Sequence, residues 1–166
     1  MRTSLIGALA GTAVLVAAPT ITVADRVLVD HGRGPTVVHD AAYAGIRTQV
    51  HSWAADGRTE VRLMVRGLPP ARTFGAHVHV APCGADPMAS GGHYQHGTDT
   101  TQPLASREIW LDFTTDEQGR GVGSTEVPWL VAAGTAGSVV IHAGPTDPVT
   151  GAAGARLACT DVPFGQ

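Results

Sequence analysis

The chain has 166 residues, which fits a single domain with a sizeable core, and its formal net charge is −3. Only 15% of the residues are charged, against roughly 25% in an average soluble domain, and all eleven cationic residues are arginine. This balance excludes a basic surface for nucleic acid, and the lack of a heptad pattern excludes a coiled coil. The 21 Gly and 11 Pro residues, set between short β-branched segments, indicate an all-β fold with many turns.

The first 24 residues have the pattern of a secretory signal peptide. Arg2 supplies one positive charge, residues 5–18 are uncharged and mainly apolar, and residues 22–24 offer a small-residue cleavage site. The alternative is a membrane anchor, but a bilayer span needs about 20 apolar residues and this run is shorter. We therefore expect a signal peptide over 1–24 and a single secreted domain over 25–166, outside the cell or in its envelope, with no membrane span.

Short alternating segments predict an antiparallel structure of about eight strands. The dipeptide Asp56-Gly57 between two alternating runs predicts a hairpin. Many short strands separated by turn residues are typical of a Greek-key β-sandwich or barrel with an immunoglobulin-like architecture. Residues 81–106 show no strand pattern, and so long a loop in a small domain is usually functional or disordered. The predicted strands are 26–29, 36–38, 46–51, 61–66, 75–80, 107–114, 121–127, 137–142 and 155–159.

The chain contains two cysteines, Cys83 and Cys159. In an exported protein an even number of cysteines predicts a disulfide, and this one would close a long loop. The alternative is that both thiolates bind a metal ion. Two isolated cysteines lack the C-x-x-C spacing of such sites, so a disulfide is the better interpretation.

Four of the eight histidines lie where they can form a metal site. His77 and His79 are two residues apart in a predicted strand, so both imidazoles emerge on one face. His93 lies in the long loop, and His142 ends a β-branched run. Imidazole suits copper, zinc, nickel or iron, and copper(II) has the highest affinity in the divalent series. An H-x-H pair alone is a weak signal, and an ordinary exposed face is the alternative; the remaining histidines without such context (His31, His39 and His51) are interpreted as surface residues.

Several segments resemble the secreted copper/zinc superoxide dismutases. Residues 59–70 and 75–79, followed by Cys83, are similar to the first half of that family. Residues 90–94, Ser-Gly-Gly-His-Tyr, resemble its bridging-histidine loop. Residues 139–143 and then 151–159 resemble its C-terminal signature. The similarity runs in order from about residue 59 to residue 159 and is weak before that.

The resemblance implies a Greek-key fold, a copper cofactor and superoxide as the substrate. It implies that Arg156 attracts and orients superoxide beside the copper, and that Cys83 and Cys159 form the intrasubunit disulfide. Dismutation of superoxide to oxygen and hydrogen peroxide needs a one-electron metal, which suits copper and excludes zinc as the redox centre. The implied copper ligands are His77, His79, His93 and His142.

The chain departs from the family at the zinc site, which relatives build from the bridging histidine, two more histidines and an aspartate. No histidine lies between His96 and His142, and residues 97–106 contain Thr, Gln and Pro where zinc-binding members place ligands. Since a closed zinc site needs four ligands, the chain resembles the family's copper-only branch, and we expect copper without zinc. The alternative is a zinc site rebuilt from His93, His96 and a carboxylate such as Asp99.

Without zinc, the outer nitrogen of His93 needs another partner, because ligating histidines usually donate their second N–H to a carboxylate, a carbonyl or water. In the predicted strand 107–114, the side chains of Glu108, Trp110 and Asp112 share the face opposite the core. Glu108 lies nearest the position of the family's zinc aspartate, so we expect it to hold His93 and to support catalysis. Asp112 is the second choice, and an ordinary solvent-facing carboxylate is the alternative.

The loop between His142 and Arg156 is short and contains one charged residue, Asp147. Longer family members carry more charged residues here that help to steer superoxide, so we expect weak long-range steering and a solvent-open copper. Asp147 is expected either to hydrogen-bond the outer nitrogen of a ligand such as His77 or to lie in solvent.

Three functions are consistent with these residues. The first is a secreted copper-dependent superoxide dismutase, and the second is a copper-binding storage or transfer module without turnover. The third is a silent sandwich with vestigial histidines, which the complete four-histidine set argues against. Arg156 favours the enzyme, because copper storage alone does not need a cation that orients an anion.

Overall fold

The computed structural model describes residues 27–30, as backbone, and residues 36–162 and 164–165. The expected signal peptide and His31 therefore lie outside the described residues. Within the described part of the chain, no helix is long and apolar enough to cross a membrane.

The described residues form an all-β sandwich of two four-stranded antiparallel sheets and one small strand pair, which confirms the predicted Greek-key fold class. The first sheet has the order β1-β3-β4-β8, and the second has the order β2-β10-β9-β6. Strand β5 pairs with β7. The strands are β1 (Val27–Asp30), β2 (Val37–Val38), β3 (Arg47–Ala55), β4 (Arg58–Arg66), β5 (Thr73–Phe74), β6 (Ala76–His79), β7 (Phe113–Thr114), β8 (Arg120–Val127), β9 (Ser138–His142) and β10 (Arg156–Asp161). Three short 3-10 helices span Ala41–Tyr43, Pro87–Ser90 and Leu104–Ser106.

The predicted hairpin joins β3 to β4. Ala55 pairs with Arg58, so the connection is the dipeptide Asp56-Gly57 alone. Both residues have positive φ, 51° and 75°, as a two-residue turn with the twist of the flanking strands requires. The hairpin sets the register of the first sheet at its centre.

The core lies between the two sheets. Strand β4 contributes Val61, Leu63 and Val65, which alternate with polar or half-buried residues, as expected for a sheet with one solvated face. Strands β6 and β9 are buried at every residue. Their core-facing residues include Val78 and Ile141, while the opposite face of β6 carries His77 and His79.

Loop residues cover that opposite face of the second sheet. The chain after β6 turns back along the strand, because Val80 donates its backbone N–H to Gly92 (3.1 Å) and Tyr94 donates to Val78 (2.8 Å). Single bridges join His79 to His93 and His77 to Trp110. The long segment without strand pattern, residues 81–106, therefore packs on β6 and forms a wall of a buried polar site; it is called the covering loop below.

The predicted strand 107–114 is wrong in extent, since only Phe113 and Thr114 form a regular strand. The core-facing part of the prediction is confirmed, because Ile109, Leu111 and Phe113 are buried. The ladder with β6 is short because the Asp112 carboxylate accepts the Ala76 backbone N–H (3.3 Å) where a strand carbonyl would otherwise accept it.

Candidate metal site

Four imidazoles meet on the outer face of the second sheet. One ring nitrogen of each of His77, His79, His93 and His142 lies within 4.8 Å of the others. His77 and His79 come from β6, His142 is the last residue of β9, and His93 comes from the covering loop. The strand pair and the loop thus bring together the four histidines that the sequence analysis selected.

Three of the imidazoles bind the protein through Nδ1, which leaves Nε2 directed at the cluster. His79 Nδ1 lies 3.1 Å from the Gly91 carbonyl, and His142 Nδ1 lies 3.1 Å from the Gly154 carbonyl. A carbonyl only accepts, so both rings carry their proton on Nδ1 and keep a lone pair on Nε2. His93 Nδ1 lies 2.9 Å from Glu108 Oε2. The Nε2 atoms of His79 and His142 are 3.4 Å apart.

His77 has the opposite orientation. Its Nε2 lies 2.7 Å from Thr146 Oγ1, and its Nδ1 is buried without a hydrogen-bond partner. Buried polar atoms in proteins are nearly always paired, so an unpaired nitrogen beside three others fits a ligand. The donor set of four imidazoles suits a copper ion, and it would bind through Nδ1 of His77 and Nε2 of the other three rings.

The environment keeps three of these imidazoles neutral. Burial, together with the neighbouring imidazoles, lowers the pKa of His77 to about 2, of His79 to about 3 and of His142 to about 4. Neutral imidazole is the form that binds metal ions, because a protonated ring has no free lone pair. These three rings therefore have lone pairs available to bind a cation at neutral pH.

Thr146 and Asp112 fix the orientation of the His77 ring through its Nε2 atom. The Thr146 hydroxyl donates to Asp112 Oδ1 (2.7 Å), and the Thr146 backbone N–H donates to Asp112 Oδ2 (3.0 Å). Because its single proton goes to Asp112, the Thr146 hydroxyl accepts from His77 Nε2–H. This arrangement fixes the ring with Nδ1 unprotonated.

Thr146 is a site residue that the sequence analysis missed. The sequence pointed instead to its neighbour Asp147, either as the partner of His77 or as a residue in solvent. Asp147 Oδ1 accepts the backbone N–H groups of Val149 and Thr150 and closes its own exposed turn. Asp112, the second choice for His93, lies beside Thr146 and His77. No spacing or charge pattern marks a threonine as a histidine partner, so this contact had no signal in the sequence.

Glu108 is the carboxylate that contacts His93. The residue is 3% exposed, and its Oε2 accepts from Trp110 Nε1 (2.7 Å) as well as facing His93. Its Oε1 accepts from Gln95 Nε2 (2.8 Å). Burial raises the pKa of Glu108, but the hydrogen bonds from His93, Trp110 and Gln95 outweigh burial and hold that pKa below its usual range. The carboxylate is therefore charged and fully hydrogen-bonded.

His96 and Asp99, the alternative zinc ligands, make contacts away from the histidine cluster. The His96 ring stacks on Trp129 with centroids 4.5 Å apart and an interplanar angle of 8°. Asp99 closes a turn by accepting from the backbone and the hydroxyl of Thr101. Within the described ranges of the chain, the residues that gather at metal-ligand spacing are the four histidines of the cluster.

Arg156 begins β10 opposite His142, next to an irregularity in the register of β9 and β10. Its guanidinium donates to the Pro87 carbonyl (2.8 Å), to Ser90 Oγ (2.9 Å) and to the Gly91 carbonyl (2.7 Å). The Gly91 carbonyl also contacts His79 Nδ1. The positive charge of Arg156 adds to the lowering of the pKa of His79 and His142, so it acts at the cluster.

The predicted disulfide between Cys83 and Cys159 is confirmed. It ties the start of the covering loop to β10, and the Cys83 backbone N–H also donates to Asp161 Oδ1 (2.6 Å). Disulfides of this kind are typical of extracellular proteins. The bond and Arg156 together attach the same loop to the last strand.

Comparisons with known proteins agree with the fold and the cluster. The family model described as copper/zinc superoxide dismutase (SODC) matches residues 46–162. A Cu/Zn superoxide dismutase from Brucella abortus is similar in structure, with 21% identity, a TM-score of 0.54, and coverage of 69% of this chain and 87% of that one. A double mutant of a superoxide dismutase-like protein from Bacillus subtilis has 17% identity, a TM-score of 0.53, and coverage of 68% and 86%.

A search of curated proteins finds no match. The two solved structures are too distant in sequence to show more than the fold. The family model, in contrast, covers most of the chain, including all four histidines and both cysteines. The chain therefore belongs to the copper/zinc superoxide dismutase family, whose members are oxidoreductases that act on superoxide.

Proposed function

We propose that the protein is a secreted superoxide dismutase that uses copper without zinc. The observation that carries this proposal is the hydrogen bond between His93 Nδ1 and the buried Glu108 carboxylate, 2.9 Å long. In the family's zinc-containing members, that nitrogen binds the zinc ion. Here a negative charge that belongs to the protein lies against it.

The copper ligands in this proposal are Nδ1 of His77 and Nε2 of His79, His93 and His142. A copper ion bound there supplies a one-electron couple, which the conversion of two superoxide anions and two protons to oxygen and hydrogen peroxide requires. The four imidazole ligands carry no negative charge of their own, and the nearest carboxylates, Glu108 and Asp112, lie behind His93 and Thr146, so a bound copper(II) ion would present positive charge on its open side. An anionic substrate is therefore attracted to it.

Arg156 orients superoxide in this proposal. Its three hydrogen bonds hold the guanidinium against the loop at Gly91, beside His79, while the side chain stays partly exposed. Arginine keeps its proton at all physiological pH values, so it attracts an anion without taking part in proton transfer. Weak steering over long distances follows from the loop 143–155, in which the exposed Asp147 is the charged residue.

Two further observations support the absence of zinc. His96 stacks on Trp129, and Asp99 accepts hydrogen bonds from its own turn. A zinc site rebuilt from His93, His96 and Asp99 would have to break both arrangements, as well as the contact of His93 with Glu108. Apart from the four-histidine cluster, the described residues bring no second group of ligand side chains together at metal-ligand spacing, which supports a single metal site.

Secretion rests on two independent features. Residues 1–24 have the signal-peptide pattern, and the disulfide between Cys83 and Cys159 needs an oxidising compartment to persist. The mature chain in this proposal is a single domain from residue 25, which meets superoxide outside the cell or in its envelope.

The test is to load the purified protein with copper and zinc together, to measure both metals per chain, and to follow superoxide decay directly. We expect one copper per chain, no tightly held zinc, and decay far faster than with the copper-free protein. One tightly held zinc per chain would contradict the copper-only site. Stoichiometric copper without faster decay would instead identify a storage or transfer module.

A further inference from the structure

Three arginines stand side by side on the outer face of the first sheet, on the opposite side of the sandwich from the histidine cluster. Arg47 on β3 pairs in register with Arg66 on β4, and Arg66 pairs in turn with Arg120 on β8. We call this set the arginine row. Like charges directly opposite each other in a sheet are destabilising, so the fold alone gives no reason for it.

The row is only partly neutralised. Arg120 forms an ion pair with Asp116 (Nε to Oδ2, 2.9 Å), while Arg47 donates to two backbone carbonyls, those of Ala44 and Ile46. The side chain of Arg66, the central residue, makes no hydrogen bond or ion pair with any residue that the structure describes. Three positive charges and one carboxylate therefore leave a clear excess of positive charge.

The three arginines line one concavity of about 560 Å³. Its floor includes Met64 and Val122, and the side chain of Val122 is 50% exposed. No carboxylate lines the concavity. An open hollow with cationic walls and a small apolar floor is suited to an anion that can approach several guanidinium groups at once.

We propose that the arginine row binds an oligophosphate, a short chain of linked phosphate groups. Neighbouring strands lie about 4.8 Å apart, so one anionic group between Arg66 and either neighbour must accept hydrogen bonds from two guanidinium groups. A tetrahedral phosphate presents oxygens in several directions and can accept from both guanidinium groups, whereas a planar carboxylate accepts best from a single guanidinium fork in its own plane. The arginine row has two such spaces, one on each side of Arg66, so it fits linked phosphates better than a single phosphate.

Arg62 supplies a matched comparison on the same strand and the same face. Its cross-strand neighbours are His51 and Ser124, so it has no arginine on either side. It does not line the concavity. Diffuse attraction of anions to the sheet would involve Arg62 and Arg66 alike, whereas a built site depends on Arg66.

The test measures tripolyphosphate binding to the copper-loaded protein by calorimetry at fixed ionic strength, with the copper absorbance followed to verify that the metal stays bound. We expect one tripolyphosphate per chain. In Arg66→Gln the affinity should fall about tenfold or more, because charge-assisted hydrogen bonds are lost, whereas Arg62→Gln should change it by about threefold at most. Superoxide decay should be unchanged in both variants.

Three results would overturn the proposal: no saturable binding by the wild type, equal weakening in the two variants, or citrate binding as tightly as tripolyphosphate. The last result would mean that tetrahedral groups are not what the row selects. Removing a central like charge should not lower the melting temperature. If Arg66→Gln nevertheless fails to fold, Arg47→Gln replaces it with the same expected loss of binding.

Discussion

The two sheets of the sandwich differ in what lies on their outer faces. In the first sheet, β4 alternates between buried residues such as Leu63 and exposed residues such as Arg62, because its outer face is in water. In the second sheet, β6 and β9 are buried throughout, since the loop after β6 and the loop after β9 cover them. The second sheet thus holds the buried histidine cluster, whereas the outer face of the first sheet, which carries the arginine row, stays in contact with solvent.

This difference shows what a buried polar face requires. Each imidazole of the cluster has a fixed partner for its outer nitrogen: a carbonyl for His79 and His142, Thr146 for His77 and Glu108 for His93. A buried polar atom without a partner is costly, and His77 Nδ1, which is unpaired and faces the other three imidazoles, points to a ligand from outside the chain. Substitutions in the two sheets should therefore affect different properties.

The largest contrast is expected between His142→Ala and Leu63→Ala. His142→Ala removes a proposed copper ligand, so copper affinity should fall at least about 100-fold and superoxide decay with it. Leu63→Ala leaves a core cavity in the first sheet and should lower the free energy of unfolding by about 2–5 kcal/mol while copper per chain stays unchanged. Metal analysis and urea unfolding measure the two effects. An unaltered copper spectrum in His142→Ala would refute the ligand assignment.

Replacing both cysteines, in Cys83→Ser with Cys159→Ser, should lower the free energy of unfolding by about 4 kcal/mol, because the bond closes a loop of 76 residues. The covering loop should also loosen, so copper should dissociate faster than from the wild type. Urea unfolding of the copper-free protein and transfer of copper to a chelator measure these changes. Two free thiols in the isolated wild-type protein would contradict the bond.

Glu108→Gln should keep copper bound but lower turnover by about tenfold, because the neutral amide no longer supplies a charge to His93 Nδ1. Asp112→Asn is the matched control, since it changes a carboxylate that acts on His77 through Thr146. Superoxide decay and the copper spectrum are compared for both variants. If only Asp112→Asn is impaired, the support of catalysis belongs to Asp112 and not to Glu108.

Arg156→Ala should lower the rate of superoxide decay severalfold while copper binding stays close to that of the wild type, because the change removes a cation and no ligand. The loss should be largest at low ionic strength, where attraction of the anion is least screened. The rate is measured across a salt series, with Arg58→Ala as a control, since the exposed Arg58 pairs with the exposed Glu126 away from the cluster. Equal rates for Arg156→Ala and the wild type across the series would exclude this role.

The smallest effect is expected from Thr146→Val, which keeps the shape of the side chain and removes the hydroxyl that accepts from His77. Copper affinity should fall by less than about tenfold, since a neutral hydrogen bond contributes less than a charged one. Thr146→Ser keeps the hydroxyl and should behave like the wild type. Copper titration against a chelator measures the difference, and equal loss in both variants would assign the effect to packing.

The local sequence pattern was sufficient to predict the elements whose structure depends on residues close together in the sequence. The dipeptide Asp56-Gly57 predicts the β3–β4 hairpin because it tolerates positive φ at both positions. The period of two in β6 places His77 and His79 on one face whatever packs against it. The order of the family motifs and the two cysteines then predicted the fold class and the disulfide.

Tertiary structure alone decided which atoms meet. The contact of His77 with Thr146 joins residues 69 positions apart, and no local pattern distinguishes Thr146 from Asp147 beside it. In the same way, residues 107–114 alternate as a strand should, yet their ladder is cut short because the Asp112 side chain competes for the Ala76 N–H. Sequence determines the face on which a side chain emerges, but hydrogen-bond partners depend on how the loops pack across the sheet, and that packing is long-range.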